Sequence, residues 1–196
     1  MVRIILASQS AGRFELLKKA GIIFEAMPSS YEEDHFLSKD PYELVKILAL
    51  GKARDISKKV SDDAIIIGAD SMVLIDGKMI GKPKNRIDAY EQVKLLSGRT
   101  HLLLTGLAVI KGSEEYVDIG ETKVTFRKLD NQEINDYLNS FDYTRCAGAY
   151  AIDLISSLIV EKINGEYSNV VGLPMTKLAL ILKKTGFNIY KNIQEK

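Results

Sequence analysis

Apolar positions in this 196-residue chain change from one period to another along its length, and the changes mark out its elements. Three consecutive isoleucines, Ile65-Ile66-Ile67, are β-branched and show no polar alternation, so they predict a strand buried on both faces. The run gives way to Gly68-Ala69-Asp70. Two small residues followed by an acid predict a break in the strand, where the backbone admits a ligand and a carboxylate projects into a cleft. Met72 to Ile75 resumes an extended pattern, Asp76-Gly77 is a strong hairpin turn, and Met79-Ile80 leads back to Gly81-Lys82-Pro83. The hairpin returns Lys82 towards the sheet end that carries Asp70, so acid and base are expected at one mouth. Taken alone, the same residues also fit a turn-capping acid and a solvated loop lysine.

Similar reasoning covers the rest of the chain. Arg3 to Ser8 predicts a short buried strand, and Ser8-Gln9-Ser10-Ala11-Gly12-Arg13 the turn into a helix ending at Lys19 or Ala20, before Gly21. The first amides of such a helix have no intrahelical partner and favour an anion, yet Arg13 places a cation there, against the helix dipole. Either a bound anion offsets it, or Ser10 is an ordinary cap and Arg13 lies in solvent. Phe24 to Met27 is a candidate strand, followed by the acidic run Glu32-Glu33-Asp34. Asp40 and Pro41 open a helix from about Tyr42 to Lys58, with an inward stripe that includes Leu44, Ile47, Leu48 and Ile56. Lys52 is four residues from both Leu48 and Ile56, so the period places it on that ridge. Its ammonium either snorkels to water or ends in a cleft beside an anion. Further on, Asn85 caps a helix from about Arg86 to Leu96, and strands are expected over Leu102 to Lys111 and Tyr116 to Phe126. Asp130 caps a helix to about Asn139, Leu158 to Ile163 is a last strand, and a closing helix runs through Lys184 to Gly186. The fold class is α/β with a mixed sheet.

Composition narrows the function. Lys+Arg 27 against Asp+Glu 26 leaves no basic excess for neutralising many phosphates, so a nucleic-acid partner is not expected and any anionic ligand is small. The longest apolar stretch, Leu102 to Ile110, is interrupted by Thr105 and Gly106 and is well short of the roughly 18 residues a membrane span requires. With no signal-peptide core evident behind Ile4 to Ala7, a soluble intracellular protein is expected. The single cysteine, Cys146, reads as a core thiol. His35 and His101, the only histidines, have no His or Cys partner at ligand spacing and read as structural. No phosphate loop, dinucleotide fingerprint, nucleophile elbow or zinc-protease motif is present. Asp70 is the leading catalytic candidate, and the acidic run Glu32-Glu33-Asp34 is either a solvated loop or the source of a carboxylate for a hard cation.

Several segments together resemble the Maf family of nucleoside triphosphate pyrophosphatases. Leu6 to Leu17 is similar to the family's N-terminal motif, and Gly68-Ala69-Asp70-Ser71, Gly81-Lys82-Pro83, Leu96 to His101 and Leu104-Thr105-Gly106 to its central block. Ala147-Gly148-Ala149-Tyr150 and Tyr167 to Pro174 are similar to its C-terminal signature. The match runs in order over nearly the whole chain. It implies a single domain over residues 1–196, built as an elongated mixed sheet flanked by helices, with two lobes around a central cleft, related to the inosine-triphosphate pyrophosphatases. It also implies a cytoplasmic, often dimeric hydrolase that uses Mg²⁺ or Mn²⁺ to cut a nucleoside triphosphate between its α- and β-phosphates. Under it Ser8, Arg13, Lys52 and Lys82 hold phosphates, Asp70 is proton acceptor or metal ligand, and Glu33 matches an acidic position before the second helix. Three positions depart from the pattern. Ala11-Gly12 replace a proline and an arginine, Ser71 is closer to the threonine of the dTTP/UTP branch, and Asp153 stands where that branch has glutamine. An ionised acid accepts but does not donate, so base selection is altered, with pyrimidine triphosphates the first expectation. A nucleotide-binding regulator of septum formation without turnover is the alternative, resting on Gly12.

Overall fold

The computed structural model describes residues 2–152 and 155–193. In chain order its elements are β1 (Ile4–Leu6), α1 (Ala11–Lys19), β2 (Glu25–Ala26), α2 (Pro41–Ser57), β3 (Ile65–Ile75), β4 (Lys78–Ile80) and α3 (Arg86–Leu96). They continue with β5 (Thr100–Lys111), β6 (Glu114–Phe126), α4 (Asn131–Asn139), β7 (Val160–Asn164), α5 (Tyr167–Val171) and α6 (Met175–Lys184). The strands form one mixed sheet in the order β2-β1-β3-β5-β6-β7, with β4 on β3. β1 pairs in parallel with β2 and β3, and the other pairs are antiparallel. Side chains cap the long helices where the sequence indicated. Ser10, Asp40 and Asn85 each accept a backbone N–H of the first turn, and Asp130 forms a reciprocal capping box with Glu133.

β3 carries the organisation, because its residues alternate between two coverings. Ile66, Met72 and Leu74 lie on the α2 side, with Ala49, Ala53 and Ile56 at one end and Leu44, Val45 and Leu48 at the other. Ile65, Ile67 and Ala69 pack with Leu178, Ile181 and Leu182 of α6, whereas Val73 and Ile75 pack with Ala89, Val93 and Leu96 of α3. Two separate apolar clusters therefore cover the second face. Ser71 falls between them.

The expected break at Gly68-Ala69 does not occur, since β3 runs unbroken from Ile65 to Ile75 with Asp70 in its middle. The small residues instead admit α2. A Cβ at Gly68 would lie 2.3 Å from the Ala49 carbonyl oxygen, and one at Gly106, which is paired with Asp70, 2.1 Å from that of Val45. Three other boundaries differ. Leu158 is exposed in a 3-10 turn ahead of β7, Cys146 is half-buried rather than in the core, and a five-residue helix, α5, precedes the closing one. The Asp76-Gly77 hairpin forms as read, with Ile75 opposite Lys78. Among the described residues no helix is long and apolar enough to cross a membrane.

His101 is structural. It is 2% exposed, in contact with the rings of Phe126 and Tyr150, and its Nε2 is 2.9 Å from the Tyr150 hydroxyl. Burial pulls the imidazole pKa down to about 4, below the ordinary value near 6.5. In the interval between these values the unfolded chain binds a proton that the native state refuses. The stabilisation is therefore complete above about pH 6.5 and lost as pH falls towards about 4. Thermal melts should show about 2 kcal/mol less stability at about pH 5 than at about pH 7 from this group alone, a slope that His101→Gln removes.

Candidate active site

β1 and β4 lie along the same edge of β3 but do not meet. β1 pairs with Ile65 to Ile67 and β4 with Val73 to Ile75, which leaves Gly68 to Met72 without a strand partner on that edge among the described residues. The gap is the candidate site, and each of its borders supplies functional groups.

From the α2 side comes Lys52. Its ridge position directs it inward, at 9% exposure, and the close approach of α2 at Gly68 and Gly106 sets its Nζ 2.5 Å from Asp70 Oδ1. The same ammonium is 2.7 Å from Glu33 Oε1. Glu33 is held there by the segment before α2. The Tyr31 ring lies on Gly51, where a Cβ would be 2.4 Å from Tyr31 Cζ, and Ser29 and Ser30 donate to Asp55 at 2.9 and 2.7 Å. Burial, the largest single influence on the Glu33 carboxyl, raises its pKa, but the combined attraction of Lys52, Lys82 and His35 takes it below its ordinary value.

The β1–α1 turn supplies Ser8 and Arg13. Sequence left open whether Ser10 caps the helix or Arg13 meets an anion. In the structure Ser10 does accept the Arg13 N–H, and the Arg13 side chain is nevertheless buried rather than in solvent. Its Nε donates to the Gly172 carbonyl at 2.7 Å, Nη1 to Ser8 Oγ at 3.2 Å and Nη2 to Ser71 Oγ at 3.0 Å. One N–H on each terminal nitrogen remains for a ligand among the described residues. Burial lowers the guanidinium pKa, and Asp70 and Glu33 oppose that; arginine stays charged throughout. Ser8 Oγ accepts both Arg13 Nη1–H and the Ser10 N–H, so its own proton is directed outward as a donor.

From the loop after β4 comes Lys82, mostly exposed. The hairpin brings it not to Asp70 but to Glu33, with Nζ 4.0 Å from Oε2. The loop ahead of it is anchored where the Gly148 N–H donates to the Gly81 carbonyl at 3.1 Å. Gly12 is a packing residue, since a Cβ there would be 3.1 Å from both Val171 Cγ1 and its carbonyl oxygen. A side chain at that position would require Val171 to give by a few tenths of an ångström. Gly12 and Val171 also line a cleft of about 720 Å³ between α1 and β7, and Asp70, Lys52 and Glu33 are not part of its lining. Asp153 lies outside the described residues. Sequence reasoning missed Gly172, whose left-handed backbone (φ 116°) turns its carbonyl to Arg13, and Thr105, which is buried against Ser71. The Val-Gly-Leu-Pro run was the available signal for the first, and the Leu104-Thr105-Gly106 segment for the second, though neither indicated which side chain it would meet.

The sequence model of a family described as Maf-like protein matches residues 3–185. A dTTP/UTP pyrophosphatase of Thermoanaerobacter sp. (strain X514) is 45% identical over 186 residues, covering 93% of this chain and 96% of that protein. One from Alkaliphilus oremlandii is 44% identical over 185 residues, covering 93% and 96%. Among solved structures, a nucleoside-triphosphatase / dITP/XTP pyrophosphatase from Mycobacterium abscessus aligns with a TM-score of 0.41 at 18% identity, over 65% of this chain and 76% of that one. With a family match that spans nearly its whole length and relatives this similar, the chain belongs to the Maf-like protein family.

Proposed function

We propose that this protein hydrolyses nucleoside triphosphates, dTTP and UTP foremost, to the monophosphate and pyrophosphate. The observation that carries the reading is the convergence of Arg13, Lys52 and Lys82, from three different elements, on a gap floored by Asp70. A triphosphate repels an incoming water oxygen, and fixed cations in a site of reduced dielectric offset that charge. Ser8 donates to a phosphate oxygen, and the free N–H groups of Arg13 bind another. Lys52 exchanges its carboxylates for phosphate as substrate enters. Asp70 then accepts the proton of a water whose oxygen bonds to phosphorus while the α,β-bridging bond breaks and pyrophosphate leaves.

The site also fits a divalent cation, Mg²⁺ or Mn²⁺. Asp70 and Glu33 already converge on one positive centre, the Lys52 ammonium, and magnesium needs only one or two carboxylates when phosphates and waters complete its shell. Bound there, the metal supplies charge neutralisation at the phosphates. The identity of the relatives as dTTP/UTP pyrophosphatases supports the preference for uracil and thymine nucleotides. Family membership supports a homodimer acting in the cytoplasm. Pyrophosphate release from a panel of ribo- and deoxynucleoside triphosphates tests the reading. Turnover highest on UTP and dTTP, and removed by chelator, is the expected result, whereas no release from any triphosphate would overturn it.

A further inference from the structure

We infer that Asn169 is a positioning residue for Arg13: its buried amide ties the short helix α5 to β5 and β6, so that the Gly172 carbonyl holds the guanidinium towards the gap. The inference rests on the pyrophosphatase reading above and adds the residue that aims one of its phosphate cations.

α5 has five residues, too few to hold a helical turn by its own hydrogen bonds, and no side chain caps its start. It needs an anchor outside itself. Asn169, in its middle, is fully buried and reaches both neighbouring strands, with Nδ2 donating to the Leu103 carbonyl of β5 at 3.2 Å and to Thr122 Oγ1 of β6 at 3.0 Å. Thr122 spends its own proton on the Glu166 carbonyl, 3.1 Å away, so it only accepts from Asn169. Two acceptors therefore fix which way the amide faces. The main chain is held as well, since Thr105 Oγ1 donates to the Asn169 carbonyl at 3.1 Å.

Room for the amide comes from Gly120 on β6, where a Cβ would lie 2.1 Å from Asn169 Oδ1. That oxygen is buried and has no donor among the described residues, a cost in free energy that a leucine of similar volume would not incur. Packing alone does not explain an asparagine here. What the amide provides is a fixed point, and two bonds link it to the site. The Gly172 N–H donates to the Asn169 carbonyl at 3.0 Å, and Gly172, in its left-handed conformation, turns its own carbonyl to Arg13 Nε at 2.7 Å. Nε lies in the plane of the guanidinium, so this bond sets the plane of both terminal nitrogens. Those nitrogens meet Ser8 and Ser71 and carry the N–H groups left for phosphate.

Asn169→Leu keeps the volume and removes the tie. kcat/KM for UTP should fall about thirtyfold, whereas in an Arg13→Lys background, which keeps the cation but has no Nε for the carbonyl to receive, the same substitution should cost less than about threefold. A purely structural role would cost the same in both backgrounds. Thr122→Val leaves the amide one of its two acceptors and should act in the same direction by about fivefold. The Arg13 Nε–H gives a readout that needs no turnover. Buried and bonded, its signal in ¹H–¹⁵N spectra should exchange slowly with water in the wild type and at least about tenfold faster in both variants. Folded Asn169→Leu and Thr122→Val proteins with unchanged Nε–H exchange would overturn the inference and leave the pyrophosphatase reading standing. So would an Asn169→Leu cost as large in the Arg13→Lys background as in the wild type. Absence of turnover on every triphosphate would remove the pyrophosphatase reading, and the exchange measurement would then decide the positioning of Arg13 by itself.

Discussion

Asp70→Asn is expected to lower kcat by about 10³-fold or more while nucleotide binding persists. The substitution preserves shape and removes the one carboxylate that β3 places on the floor of the gap, so the attacking water would lose its proposed proton acceptor. Binding should survive because the phosphate contacts proposed for Ser8, Arg13, Lys52 and Lys82 come from side chains whose backbones lie on segments other than β3. Without added metal it should even tighten slightly, since Lys52 no longer leaves a carboxylate 2.5 Å away to reach a phosphate. Pyrophosphate release, paired with binding of a non-hydrolysable triphosphate, separates the two effects. Turnover within about tenfold of wild type would take Asp70 out of the chemistry.

Lys52→Met carries the second large effect, on both stability and activity. The ammonium is the shared counter-ion of Asp70 and Glu33, and its removal leaves two carboxylates facing each other, one of them buried. Stranding a buried charge costs about 3–5 kcal/mol, and the partial exposure of Glu33 places the expected loss near the lower end, about 3 kcal/mol, by chemical denaturation. Adding Asp70→Asn to Lys52→Met should recover much of that loss, so the two substitutions are strongly non-additive. Turnover should fall at least about 10²-fold, because one of the three cations proposed to face the phosphates is gone. A Lys52→Met protein as stable as wild type would mean that the lysine stem, and not its charge, is what the fold uses.

The residues that chain periodicity made conspicuous are those that the structure brings together. Lys52 stands out because its helical phase contradicts its charge, Arg13 because it opposes the dipole of its own helix, and Asp70 because it follows a strand with no polar face. Each is a local inconsistency, and local inconsistency is readable without coordinates. Features that depend on what packs opposite were not readable. Gly68-Ala69 looked like a strand break, since small residues either end a strand or admit a neighbour, and only the position of α2 decides between the two. Lys82 was expected at Asp70, but the path of the hairpin and the anchor at Gly81 deliver it to Glu33. α5 is too short to show a helical period, which concealed Gly172. Thr105 and Ser71 are brought side by side by the β3–β5 register, a pairing across 34 positions that composition does not encode.

The site account stands on the position of the bond that breaks. Hydrolysis of UTP in ¹⁸O-labelled water, with products resolved by mass spectrometry, tests it most directly. Uridine monophosphate and pyrophosphate in equal amounts, with one labelled oxygen shared out to one product and none formed by the Asp70→Asn protein, is the predicted result. Uridine diphosphate with labelled orthophosphate would place the cut at the terminal phosphate and contradict the account.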